Sequence, residues 1–266
     1  MIMPKPGHSL ISVGPVERLL IERTKKGPIC AALIDPEDFS PRQADDTAAK
    51  ARDAGVSLIL VGGSTLANQG RLDSVLKAIK GHRPSHQGHI RSHVPVVLFP
   101  GNITGVSRYA DAILFSSLLN STNPYFIIGA QALGSVEIYR SKIESIPMGY
   151  LVFGNSSATS FIGQVNNLPV SKPNLAVIYA LAAKYLGMRT LYLEAGSGSG
   201  DPIPAETIQA VRKVYDGLLI VGGGITTAET AKKAAKAGAD ILVVGNLLQS
   251  SGFEKILRKI VFSIKS

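Results

Sequence analysis

Two glycine-bearing stretches late in the chain have the composition of an anion grip. Val221-Gly222-Gly223-Gly224-Ile225-Thr226-Thr227 ends one apolar run just before a helical pattern, and Val243-Val244-Gly245-Asn246 ends the next. Glycine lets backbone N–H groups come close to an anion, and a helix N-terminus adds unpaired N–H donors. A lone triple glycine is also ordinary turn chemistry. Its pairing with Gly-Asn about twenty residues later, at the ends of the last two apolar runs, points to phosphate.

A third stretch, Leu191-Tyr192-Leu193-Glu194-Ala195-Gly196-Ser197-Gly198, ends the preceding apolar run. Its small residues leave a loop open beside the phosphate grip. Glu194 is the chemical member: a carboxylate at a strand end can hold hydroxyls or take a proton, or it can simply pair with a neighbouring Lys or Arg. Early in the chain, Leu33-Ile34-Asp35-Pro36-Glu37-Asp38 and Val61-Gly62-Gly63-Ser64-Thr65 end two further runs. Asp35 and the Ser64 hydroxyl are hard oxygen ligands, and Mg²⁺ needs only one or two of these besides water and substrate phosphate. An Asp-Pro is often just a turn; a position across the barrel from the phosphate grip favours the metal. Pro100-Gly101-Asn102 and Ser116-Ser117-Leu118-Leu119-Asn120-Ser121 are polar run ends as well.

Histidine spacing offers a second metal reading. His82, His86, His89 and His93 recur four, three and four residues apart, which would line one helix face. Pro84 and Gly88 interrupt any such helix. The segment also leads into the start of a strand, away from the chemistry, and reads as a hydrated loop.

These residues need elements to hold them. Apolar runs recur at Ile29–Asp35, Val56–Gly63, Val94–Gly101, Asp111–Leu118, Gly149–Gly154, Thr190–Gly196, Leu218–Gly224 and Asp240–Asn246. Near-continuous Val, Ile and Leu suits parallel strands buried on both faces. Helical patterns lie between them: Leu72, Val75, Leu76 and Ile79; Ala176, Ala180, Ala183 and Tyr185; and Ala228–Ala237, opened by Thr226 with Glu229 and ended by Gly238. Alternation eight times over predicts a single α/β domain over residues 1–266, a (β/α)₈ TIM barrel. An open doubly wound sheet is the structural alternative. Only nine residues, Asn102–Ala110, separate the third and fourth runs, too few for a crossover helix of about 10–12 residues. The third helix is therefore expected to be irregular or missing, and Phe253–Ile264 to close the ring as the eighth.

The chain has 266 residues, and its 45% hydrophobic content is enough for one large core. The first residues lack the apolar core of a signal peptide, and no run approaches the length that spans a bilayer. The one cysteine, Cys30, excludes an intramolecular disulfide and agrees with a cytoplasmic setting. A net charge of +9 is spread along the chain with no basic block or nucleic-acid motif. No nucleic-acid partner is expected, and the basic surface leaves room for transient contact with a membrane surface.

Leu33–Asp38, Val61–Ser64, Leu118–Ser121, Tyr192–Gly198, Gly222–Ile225 and Gly245-Asn246 resemble the geranylgeranylglyceryl phosphate synthase family, in the right order from about residue 28 to 250. Ile146-Pro147-Met148-Gly149-Tyr150, Pro173 and Tyr179–Ala183 add to the likeness, and Tyr-Leu-Glu-Ala-Gly-Ser-Gly is its most specific string. The resemblance implies a magnesium-dependent prenyltransferase. It would join the geranylgeranyl group of its diphosphate to the C3 hydroxyl of sn-glycerol 1-phosphate, the first ether bond of archaeal-type lipids. It implies Mg²⁺ on Asp35 and Ser64. Glycerol 1-phosphate would bind Tyr192, Leu193, Glu194, Ala195, Gly196, Ser197, Gly198, Gly223, Gly224, Gly245 and Asn246, with Glu194 orienting glycerol or accepting its proton. It also implies a homo-oligomer, dimer or hexamer. Bacterial heptaprenylglyceryl phosphate synthases are close relatives, which leaves prenyl length open. Ser199-Gly200-Asp201 and His82–His93 lengthen two loops relative to the family pattern. A different class, a sugar-phosphate isomerase or lyase, would need a lysine or second carboxylate near Glu194.

Overall fold

A computed structural model describes residues 13–63, 65, 68–81, 94–155, 157–196 and 201–265. Eight parallel strands close into a barrel in chain order. They are β1 (Ile29–Ile34), β2 (Leu58–Val61), β3 (Val96–Leu98), β4 (Ala112–Leu118), β5 (Glu144–Val152), β6 (Thr190–Glu194), β7 (Leu218–Gly222) and β8 (Ile241–Val244). Pairing of Ile29 with Ile241 through Ala32 with Val244 joins the last strand to the first. Strand alternation sorts the side chains. Ala31, Leu58, Leu60, Val97, Leu114, Met148, Tyr192, Ile220 and Val243 fill the interior. Ala32, Ile34, Ile59, Leu98, Leu193, Val221 and Val244 face the surrounding helices.

Those helices are α2 (Pro41–Asp53), α3 (Gln69–Lys80), α4 (Ala130–Ser141), α5 (Ala158–Ile162), α6 (Pro173–Tyr185), α7 (Ala205–Arg212), α8 (Ala228–Lys236) and α9 (Phe253–Ser263). As expected, β3 is followed only by a 3₁₀ turn, Ile103–Gly105. A further helix ahead of the barrel, α1 (Pro15–Thr24), adds Val16 and Leu20 to the interior cluster. Two carboxylates fix it. Glu144 accepts the N–H groups of Val16 (2.6 Å) and Glu17 (2.8 Å), and Glu17 takes two bonds of 2.7 Å from Arg189. A carboxylate on a helix N-terminus is favoured by the free N–H groups and the dipole there.

Two local expectations need correction. Strand β5 begins at Glu144, not Gly149. Up to Pro147 it pairs only with β4, because β6 joins at Met148, so the missing proline N–H faces no neighbour. Helix α8 is capped by Thr227 with Thr230, not by Thr226 with Glu229, because the glycine turn continues through the Thr226 N–H to Gly224 carbonyl bond. Helix α6 carries Ala176, Ala180, Ala183 and Tyr185 as expected, with the three alanines buried and Tyr185 79% exposed. His82, His86, His89 and His93 lie outside the described residues.

Candidate active site

Glu194 ends β6 with its side chain inside the barrel top, and is 7% exposed. Its Oε1 accepts the Gly196 N–H at 2.8 Å. Burial pushes its carboxyl up to about 7, against the opposing pull of the Tyr192 hydroxyl and the Gly196 N–H. Among the described residues, Glu194 takes part in none of the ion pairs. A buried carboxyl that titrates near neutrality is suited to accept a proton.

The glycine rim adjoins it. Gly223 (φ +78°) and Gly224 (φ +69°) adopt the left-handed conformation that favours glycine. A Cβ at Gly223 would stand 2.6 Å from Glu194 Oε1, which places the turn against the carboxylate. At Gly224 it would meet the Pro202 nitrogen at 2.7 Å. Gly222 leaves space for the Tyr192 hydroxyl, which a Cβ there would meet at 2.0 Å; that hydroxyl is buried and makes no well-formed hydrogen bond. Gly245 and Asn246 lead from β8 into a 3₁₀ turn, Asn246–Gln249. The structure thus gathers Tyr192, Glu194, Gly196, Gly223 and Gly224. Leu193 and Ala195 pack with the outer core, so only their backbone can serve a ligand. Ser197 and Gly198 lie outside the described residues.

Asp35 follows β1 and is half-buried. Burial raises its carboxyl first; the neighbouring Asp38 and Glu37 charges add to this, while the Glu37 N–H and Arg71 oppose it. Oδ1 accepts the Glu37 N–H at 2.9 Å, and Oδ2 stands where a Cβ on Gly63 would approach to 1.9 Å. Glycine at 63 therefore leaves a hard oxygen open beside the end of β2. Arg71 braces the loop by donating to the Pro36 carbonyl and, at 3.0 Å, to the Glu37 carbonyl. These donors fit a Mg²⁺ bound by one carboxylate, water and phosphate. Ser64, the second expected ligand, lies outside the described residues. The loop stands beside the glycine rim after β7 and β8 rather than across from it. Strand β1 pairs with β8, and Gln249 donates to Asp38 Oδ2 at 2.7 Å.

Sequence reasoning missed an apolar cleft between β4, α4 and α5. Ile103, Leu114, Phe126, Ile138, Tyr150 and Ile162 are among its walls. The chain enters α4 through a π-helical turn, Tyr125–Gly129; such turns are frequent at functional sites. Asn120 is a bracket, not a ligand. Its amide donates to the carbonyls of Val152 (2.9 Å) and Asn166 (3.0 Å), and its oxygen accepts the Val152 N–H. Ser121 donates to the Gly163 carbonyl at 2.6 Å, which holds the α5 wall of the cleft.

The fold and this rim define a class: an α/β barrel enzyme whose strand ends set a buried carboxylate against a glycine turn, near an apolar cleft. The chain belongs to the PcrB family, which it matches over residues 23–264. It is 48% identical over 252 residues to geranylgeranylglyceryl phosphate synthase of Thermococcus gammatolerans, covering 94% of this chain and 96% of that one. It is 47% identical over 243 residues to the Thermococcus kodakarensis synthase, covering 91% and 93%. The crystal structure of (S)-3-O-geranylgeranylglyceryl phosphate synthase from Thermoplasma acidophilum, in complex with sn-glycerol-1-phosphate, superposes with TM-score 0.87. Its identity is 37%, covering 96% of this chain and 99% of that one. The expected family is borne out, and with it the enzyme class, a prenyltransferase.

Proposed function

We propose that this chain joins the geranylgeranyl group of geranylgeranyl diphosphate to the C3 hydroxyl of sn-glycerol 1-phosphate, with Mg²⁺ and with release of diphosphate. One observation carries the reading: Tyr150 links the apolar cleft, which it lines, to the buried Glu194 carboxylate, through its packing on Tyr192. The lining of the cleft, with Ile103, Leu114, Phe126, Ile138 and Ile162 among its walls, suits a hydrocarbon chain. The acceptor bound in the Thermoplasma acidophilum relative supports glycerol 1-phosphate.

The backbone at Gly223, Gly224, Gly245 and Asn246 receives the phosphate, at the N-terminal end of α8. That leaves the glycerol hydroxyls directed to Glu194, whose carboxyl at about 7 is half-deprotonated near neutral pH and accepts the C3 proton. Asp35 and Ser64 would hold Mg²⁺, and the chemistry this supplies is neutralisation of the departing diphosphate. The walls of the cleft exclude water and hold the prenyl carbon against the glycerol oxygen.

The proposal extends to a homo-oligomer, dimer or hexamer. Leu133, Val136 and Tyr139 of α4, with Ile178 and Tyr185 of α6, are more than half exposed, a surface that another copy would cover. Phe161, 84% exposed on the short helix beside the cleft, together with the basic net charge, suits brief contact with acidic lipid. The test of function is incubation with glycerol 1-phosphate, Mg²⁺ and prenyl diphosphates of several lengths, with product mass measured. A geranylgeranyl ether is expected. No ether from any donor overturns the reaction, and preference for a longer donor corrects the chain length.

A further inference from the structure

Tyr150 belongs to both halves of the site. It lines the apolar cleft, and it is 9% exposed, so part of its surface remains open there. On its other side its ring meets Tyr192 edge to face, with centroids 5.2 Å apart and planes at 86°. Phe99 completes the group. Its ring is perpendicular to Tyr150 at 5.3 Å and 81°, and stacked on Tyr192 at 5.1 Å and 17°. The hydroxyl end of Tyr192 reaches the space over Gly222, beside Glu194. Three rings therefore converge between the cleft and the buried Glu194 carboxylate.

That is the place where the allylic carbon must lie if a prenyl chain fills the cleft and its acceptor sits by Glu194. An allylic diphosphate gains positive charge over C1 and C3 as its C1–O bond lengthens. Aromatic rings attract cations most strongly where water is excluded. We propose that Tyr150 is a catalytic aromatic of prenyl transfer, whose ring stabilises the allylic cation beside the acceptor oxygen. The inference rests on the prenyl-transfer reading of the site. In the step, the C1–O bond breaks and both its electrons leave on the diphosphate. The glycerol C3 oxygen supplies the pair for the new C1–O bond, and its proton passes to the Glu194 carboxylate.

The experiment measures single-turnover rates and prenyl diphosphate affinity for the wild type, Tyr150→Leu and Tyr150→Phe. A second arm gives the wild type an allylic diphosphate fluorinated at C2, which makes the cation harder to form. Tyr150→Leu is expected to lower the single-turnover rate about 30-fold, the scale of a desolvated cation–π contact, with a much smaller change in affinity. Tyr150→Phe, which restores the ring, should recover most of that loss, and fluorination should slow the wild type strongly. A Leu variant that loses affinity but keeps its rate makes Tyr150 only a wall of the cleft and overturns the inference. So does a Phe variant as slow as Leu, which shifts the effect to the hydroxyl. A wild type indifferent to fluorine overturns it independently of any variant, since no cation then forms. A wild type that transfers no prenyl group brings down the underlying reading as well, a result distinct from all of these.

Discussion

Glu194→Gln gives a double readout, one on stability and one on chemistry. Burial raises the Glu194 carboxyl from its ordinary 4.5 to about 7, so the folded protein holds this proton more tightly than the unfolded chain does. Between those two values the native state carries the extra proton. Stability therefore falls as pH rises through this window, and the cost is complete above about 7. At 1.36 kcal/mol for each tenfold change in acidity, the charged form costs about 3 kcal/mol. Glutamine has nothing to titrate. Relative to wild type, the variant should thus gain about 3 kcal/mol between about pH 4.5 and pH 8, or roughly 6–12 °C in melting temperature for a chain of this size. Thermal or urea unfolding of both proteins at the two pH values measures it. A stability gap that is the same at both, or that moves toward wild type at high pH, refutes the buried-carboxylate argument. Turnover of the variant should also fall by about 10²–10⁴, and the wild-type rise in turnover through about pH 7 should disappear. If turnover holds while the glycerol phosphate Michaelis constant rises, Glu194 orients the acceptor and is not the base.

Two further substitutions separate the metal from the phosphate. Asp35→Asn should abolish Mg²⁺-dependent transfer yet keep glycerol 1-phosphate affinity in calorimetry, because its carboxylate stands at Gly63, after β2, and not against the Glu194 and Gly223 turn. Near-normal turnover at saturating Mg²⁺ would show that Asp35 does not hold the metal. Gly223→Val forces a branched side chain into a φ of +78° and against Glu194, a strain of at least about 1–2 kcal/mol. Glycerol 1-phosphate binding should be lost; unchanged affinity in a folded variant removes this turn from the site.

The sequence carried the barrel because its strands are buried on both faces. Ile29–Ile34 and Leu218–Gly222 are apolar without interruption, which few other structures require. The shortened third crossover was visible in the nine residues from Asn102 to Ala110. Gly223 and Gly224 were legible because positive φ and contact with Glu194 and Pro202 leave little choice but glycine. The apolar cleft was not. Ile103, Phe126, Ile138, Tyr150 and Ile162 are dispersed in the chain and look like core; only barrel closure makes them one surface. The first half of β5 was hidden by Pro147, whose tolerance depends on which neighbour β5 has at that point. Closure likewise moved Asp35 beside the glycine rim, since the first strand of a barrel pairs with the last. The outward direction of Leu193 and Ala195 could have been read from strand alternation around Glu194.

The most direct test of the account is a crystal structure with sn-glycerol 1-phosphate and a non-reactive geranylgeranyl diphosphate analogue bound together. The phosphate is expected on the backbone of Gly223, Gly224 and Gly245, the C3 hydroxyl on Glu194, and the prenyl chain in the cleft with its first carbon against Tyr150. A prenyl chain lying elsewhere, or a glycerol whose C3 hydroxyl does not reach Glu194, would contradict it.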